Sequence, residues 1–311
     1  MKGVMFILIF AISLFAKDLT PFREFNASGA VQEIVLSDNL LYVATIGEVQ
    51  IFDIEKNSLV GDIKLEPIED FFGDFYKPKV FSVDVSSKGI LILQEENGGN
   101  RAVRLFKDGK SIELVKKEQK LFIKKAKLFE DFALYATIGG DVILQDLKTL
   151  KIIYNKNISV SSFSDFKIVE NEGYFSFESG EVKVVDIKSG QVLREIKGIN
   201  KDNVYKVDIA KDVLATAGQD RKIGLYSKNG KAIGSIDGEF LIYAVALSLD
   251  GKSVVFPANE KNELLMYDIA KKELIYKLIG HKSTLNTIVF KTNERIFSSS
   301  DDEFIYEWRL K

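Results

Sequence analysis

The chain carries one histidine, His281, and no cysteine. Without thiols there is no disulfide, thiolate nucleophile, thioether-linked haem, iron–sulfur cluster or lipidated cysteine. A single imidazole excludes a histidine-rich metal site and argues against zinc. His281 could still serve as a general base, but a Ser-His-Asp arrangement needs it exposed beside a serine and an acid. Adjacent carboxylates recur at Glu69-Asp70, Glu95-Glu96 and Asp301-Asp302. Such pairs can hold calcium or magnesium. With 45 acidic residues in the chain they also arise by chance and read first as solvated turns. No glycine-rich phosphate loop follows a strand and opens a helix, and Gly98-Gly99 reads as a hairpin turn. The 43 basic residues nearly balance the acids, so no global charge points to nucleic acid or anionic lipid.

The elements that must position these residues are strands. Seven segments repeat one pattern: VQIFDI from Val49, VRLFKD from Val103, VILQDL from Val142, VKVVDI from Val182, IGLYSK from Ile223, LLMYDI from Leu264 and IYEWRL from Ile305. Their first residues lie 54, 39, 40, 41, 41 and 41 positions apart. A period near 41 in β-branched and aromatic runs predicts an all-β, seven-bladed β-propeller with four antiparallel strands per blade. Blade 7 supplies LNTIVF, RIFSSS and FIYEWRL and then the chain ends, one strand short. The segment Leu19 to Phe25 precedes blade 1 and has no blade of its own. We therefore expect an N-terminal strand to complete blade 7, closing the ring and removing two open sheet edges.

Ahead of that strand, Lys2, the apolar run Val4 to Phe15 and the small Ala16 have the layout of a secretory signal peptide. Twelve apolar residues fall short of the roughly 20 needed to span a bilayer. The expected domains are a signal peptide over 1–16, cleaved after Ala16, and a single propeller over 17–311. An export signal with no cysteine predicts a bacterial periplasmic protein, without a membrane span after cleavage and folding without disulfides.

Blade 7 reads GHKSTLNTIVFKTNERIFSSSDDEFIYEWRL. It resembles a WD repeat, with Gly280-His281 opening it and Trp308 near its end. In that family a histidine, a serine or threonine, an aspartate and the tryptophan form a buried hydrogen-bonded chain. The resemblance implies that role for His281, Ser298, Asp302 and Trp308, with the aspartate orienting the imidazole. Blade 5 keeps part of the set in Thr216, Asp220 and Tyr226. His281 is then structural, and no catalytic residue, cofactor or metal is expected. The leader ending SLFAKDL, the absence of cysteine and seven degenerate blades further resemble the WD-repeat accessory proteins of periplasmic nitrate reductase systems. That resemblance implies a non-catalytic scaffold with periplasmic protein partners among the nitrate reductase components. Two alternatives stay open: a scaffold for envelope or outer-membrane protein assembly, and a carboxylate-metal hydrolase or lactonase built on a propeller.

The one irregular interval points to a binding region. The 54-residue spacing places about 13 extra residues in EPIEDFFGDFYKPK (Glu66 to Lys79), joining blades 1 and 2, and in EENGGNRA (Glu95 to Ala102), between two strands of blade 2. In WD-repeat propellers both kinds of loop leave the same end of the ring, so the two insertions should be neighbours. The candidate partner-binding residues are Phe71, Phe72, Phe75 and Tyr76 with Glu69 and Asp70. Their rings either anchor a partner or pin the loop to the blade beneath. A second feature is the run from Lys107 to Lys127, with eight lysines against Asp108, Glu113 and Glu118. These lysines either blunt an exposed edge strand or form a basic patch for an acidic partner.

Overall fold

A computed structural model describes residues 16–310. The predicted leader lies outside the described residues except for Ala16. Seven blades follow in chain order, each built on four antiparallel strands running from the axis outward, with a fifth added to blade 6. Blade 1 holds Glu33–Ser37, Leu40–Ala44, Glu48–Asp53 and Ser58–Lys64. Blade 2 holds Val80–Ser86, Gly89–Glu96, Asn100–Lys107 and Lys110–Val115. Blades 3, 4 and 5 begin at Ile123, Phe163 and Val204 and end at Asn157, Ile196 and Asp237. Blade 6 runs from Ala246 to Leu278, and blade 7 begins at Leu285. In blades 1 and 3 to 6 the third strand slips register against the outer strand at matching places, Ile51/Phe52 in blade 1 and Leu225/Tyr226 in blade 5 among them, and in blade 2 the slip falls two positions earlier in the repeat, at Val103/Arg104. These bulges add local twist to each blade.

The core is distributed and not central. Seven buried apolar clusters each lie between two neighbouring blades, so every blade is apolar on both faces. The cluster between blades 3 and 4 is phenylalanine-rich, with Phe166 and Phe175 stacked at 4.9 Å. The cluster between blades 7 and 1 takes Phe25 from the N-terminal strand.

Closure is as expected in kind and shifted in position. The strand that completes blade 7 is Arg23–Asn26, antiparallel to Phe304–Arg309 with Phe25 opposite Ile305. Phe25 is buried and meets Phe52 of blade 1 edge-on at 5.8 Å. Leu19 belongs to a separate strand, Lys17–Leu19, which runs parallel to Glu273–Leu278 and gives blade 6 a fifth strand. The expected segment therefore divides at Pro21, which has no N–H to give a ladder. One other strand departs from expectation. The first strand of blade 6 is only Ala246–Leu247; Ile242, Ala244 and Val245 before it are buried but outside any ladder.

Candidate functional site

Residues 65–79 cross from blade 1 to blade 2 and form a small hairpin, Ile68–Glu69 against Phe75–Tyr76. Asp70 shapes its tip. One carboxylate oxygen accepts the N–H groups of Phe72 at 2.7 Å and Asp74 at 2.9 Å, while Gly73 takes φ +90°. An Asx turn with glycine in the left-handed region is what the sequence DFFGD supplies. The base is held by apolar and polar ties. Leu65 and Ile68 are buried, Glu69 N–H donates to Asn97 Oδ1 at 3.2 Å, and the Tyr76 hydroxyl donates to Glu95 Oε1 at 3.1 Å. The returning limb is locked by Gly47 N–H to the Pro78 carbonyl and by Lys79 N–H to Glu95 Oε2. The two insertions are thus in contact.

Tyr76 helps to pin this hairpin, and the phenylalanine rings do not. Phe71, Phe72 and Phe75 are 96%, 86% and 73% exposed, and Tyr76 is 38% exposed. Phe71 and Phe72 touch each other edge-on at 5.6 Å. A braced hairpin that holds three phenylalanines in water is unusual on a monomer surface, where exposed apolar patches of this kind mark interaction sites. The second insertion takes a different form from the expected loop. Its residues mostly extend the strands, so that blade 2 has a long hairpin closed by the turn Asn97–Gly99. Gly98 and Gly99 at φ +69° and +73° make that turn.

The same end of the ring carries every crossing between blades and every turn between second and third strands. Ile46, Phe122, Ile138 and Val160 lie on these connections in blades 1 to 4 and are also exposed. Ile138 N–H donates to the Phe122 carbonyl at 2.9 Å, which joins two of them directly. The aromatic hairpin therefore stands at one side of a broader apolar rim.

A second assembly lines the central channel, a cavity of about 370 Å³. Lys125 lies 2.5 Å from Asp165 and 3.6 Å from Glu33, and Lys127 bridges Glu33 and Asp84 at 3.3 and 3.5 Å. Each carboxylate also accepts a backbone N–H from a neighbouring blade: Glu33 from Val83, Asp84 from Leu128, Asp165 from Val207 and Asp208 from Leu247. Burial alone would raise the Asp165 carboxyl. Lys125, Lys206 and these hydrogen bonds overcome it and hold the group down at about 2. Lys127 and Lys125 lower Glu33 against the same burial penalty. The expected lysine run is thus divided. Lys125 and Lys127 belong to the channel, and Lys124 donates to the Phe163 carbonyl. Lys107, Lys110, Lys116 and Lys120 remain exposed on blade 2 and the crossing after it, and Lys117 is half-buried there. The stitching carboxylates escaped sequence reasoning. Their signal was an acid embedded in an apolar first strand, as in SVDVS, FSDFK and YKVDIA.

His281 sits in blade 7 within a one-way hydrogen-bond chain. The Trp308 indole N–H donates to Ser298 Oγ at 2.8 Å, and Ser298 lies 2.7 Å from His281 Nε2. On the other side His281 Nδ1 lies 2.9 Å from Ser300 Oγ, whose hydroxyl donates to Asp302 at 2.6 Å. Indole can only donate and carboxylate can only accept, so the two ends set the direction. Ser298 donates to Nε2, and the proton of neutral His281 resides on Nδ1. Asp302 orients the imidazole through Ser300 and not by direct contact, which corrects the expected four-residue set to five. Burial pushes His281 down to about 4, opposed by the Asp302 charge. In blade 5, Asn200 holds the histidine's place: Thr216 donates to its Oδ1 at 2.5 Å and its amide donates to Asp220 at 3.0 Å. Tyr226 instead accepts the Ile199 N–H at 2.9 Å. The remaining carboxylate pairs serve turns and hairpins. Glu96 pairs with Arg104, and Asp301 accepts from Asn286.

No family model matches the chain. Part of it is similar to two Arabidopsis thaliana proteins. Protein SPA1-RELATED 3 is 28% identical over 137 residues, and Protein SPA1-RELATED 4 is 29% identical over the same length. Each match covers 42% of this chain but only 16% and 17% of those longer proteins. Among solved structures, the computationally designed Ika8 protein superposes with a TM-score of 0.66 at 16% identity, covering 95% of this chain and 100% of that one. That likeness concerns the fold alone.

Proposed function

We propose that this chain is an exported, non-catalytic interaction platform that docks a protein partner on the face built around the aromatic hairpin. One observation carries it: Phe71, Phe72 and Phe75 are held in water by a hairpin that needs none of them for its own support. Large rigid rings presented this way supply the anchors from which interfaces draw most of their energy. The scaffold role is supported by the fold and by the state of the lone histidine, which is neutral, buried and hydrogen-bonded at both nitrogens. The leader supports a periplasmic address, with processing after Ala16. Within that compartment we assign the chain to a nitrate reductase system as an accessory protein, on the resemblance in leader, cysteine content and blade degeneracy described above.

The test is co-purification from periplasm. Tagged wild-type protein should retain nitrate reductase components, and Phe72→Ala with Phe75→Ala should lose them at an unchanged melting temperature. Retention by the double variant refutes docking at the hairpin. Retention of envelope-assembly proteins in place of nitrate reductase components refutes the assignment to nitrate respiration and leaves the docking site standing.

A further inference from the structure

The hairpin says more about its partner than that it is a protein. Between Glu66 and Tyr76 the chain has four acids, Glu66, Glu69, Asp70 and Asp74, and no base. Among the described residues none of these four makes an ion pair. Cations near it in sequence or on the adjoining hairpin are engaged elsewhere, Lys64 with Asp62 at 3.8 Å. The Lys77 stem covers Gly47, Lys79 lies 6.0 Å from the Phe81 ring, and Arg101 stacks on the same ring at 4.1 Å.

The rings are bare in the same sense. Elsewhere in this molecule a half-exposed phenylalanine is covered by a guanidinium: Arg309 lies 3.7 Å from the centroid of Phe22. Among the described residues no cation lies over Phe71, Phe72, Phe75 or Tyr76. Unpaired carboxylates interleaved with open ring faces form a surface that attracts cations twice, by charge and by the ring quadrupole. A neutral apolar partner would have to strand those carboxylates, and an acidic one would be repelled.

We propose that the hairpin binds an arginine- or lysine-bearing protein segment, whose cations seat on the phenylalanine faces between Glu66, Glu69 and Asp74. This rests on the docking role proposed above. Asp70 is excluded from the cation-binding set because it already accepts the two N–H groups that shape the turn.

The test uses the full chain and three labelled peptides of equal length, in which Arg, Gln or Glu alternates with Leu, followed by fluorescence anisotropy. The Arg peptide should bind at least about tenfold more tightly than the Gln peptide at low ionic strength. It should lose most of that margin by about 0.3 M salt, where screening is strong. Glu66→Gln with Glu69→Gln and Asp74→Asn should abolish the preference. Glu260→Gln with Glu273→Gln, which remove exposed acids on blade 6, should keep it. Absent or equal binding of the Arg and Gln peptides to wild type overturns the proposal, as does an equal loss in the blade 6 control. The two levels separate cleanly. If Phe72→Ala with Phe75→Ala loses a peptide that the carboxylate variant still binds unchanged, docking stands and the cationic partner falls. If the aromatic variant binds as wild type does, both fall.

Discussion

Two neighbouring seams of this ring use aromatic residues in opposite ways. Between blades 7 and 1, Phe25 enters from a strand remote in sequence and packs between Phe52 and Phe297, fully out of water. Between blades 1 and 2, an equally aromatic segment turns its rings outward while Leu65 and Ile68 do the packing. The first seam must be apolar because it closes the ring. The second is already closed by Tyr42, Val49, Val80 and Val83, so its crossing is free to carry rings that stability does not require. Position relative to the inter-blade cluster, and not residue type, separates a buried structural aromatic from one presented to solvent.

The sharpest way to break this contrast is to delete residues 17–28. That removes Phe25, the fourth strand of blade 7 and the parallel strand on blade 6, leaving two edges unpaired. The loss should exceed the about 3–5 kcal/mol of a single phenylalanine core truncation, read as a steep fall in melting temperature. An unchanged transition would mean that the ring is held without its clasp. Next in size, Trp308→Ala should cost about 3–5 kcal/mol in urea unfolding, because the indole is fully buried and Ser298 loses its donor. A loss below about 1 kcal/mol would show that the chain from indole to carboxylate contributes little.

A smaller effect reads out the same chain by pH. His281 titrates near 4 in the folded protein and near 6.5 when exposed. Between those values the unfolded chain binds a proton that the native one refuses. Its contribution is therefore complete above about pH 6.5 and declines as the pH falls toward 4. From pH 6.5 to 5 wild type should lose about 1.5 kcal/mol. His281→Asn, which copies the arrangement around Asn200 in blade 5, should lack that slope. Parallel profiles for the two proteins would place the histidine's proton elsewhere. Asp165, held at about 2, and Glu33, lowered too, do not confuse this window.

The repeat period made the fold legible because every blade must rebuild the same interface, and the missing last strand made closure legible because an open edge had to be paired. Three things lay beyond that pattern. Where the N-terminal segment divides depends on Pro21 meeting a particular ladder. The relay from His281 to Asp302 runs through Ser300, one of three consecutive serines; it shares a strand face with Ser298, and its reach to Asp302 sets it apart. The channel ion pairs join residues as distant as Glu33 and Lys127, and only the closed ring brings them together. At the hairpin, the excess length and aromatic content were visible, whereas the exposure of the rings depends on which apolar residues fill the cluster below.

The smallest expected effect on stability decides the comparison. Phe72→Ala with Phe75→Ala removes two large rings, and in a buried seam that would be ruinous. Here the rings are mostly in water, Asp70 and Gly73 still make the turn, and Glu95 and Asn97 still hold the base. The change in unfolding free energy should stay within about 0.5 kcal/mol, as for surface positions generally. The added conformational freedom of alanine in the unfolded chain is minor on that scale. Ile68→Ala, one strand position away from the exposed rings but turned inward, should cost about 2–5 kcal/mol in the same assay. If the aromatic pair proved as costly as Ile68, the rings would be supporting the crossing after all, and the division between a closing seam and a presenting one would not hold.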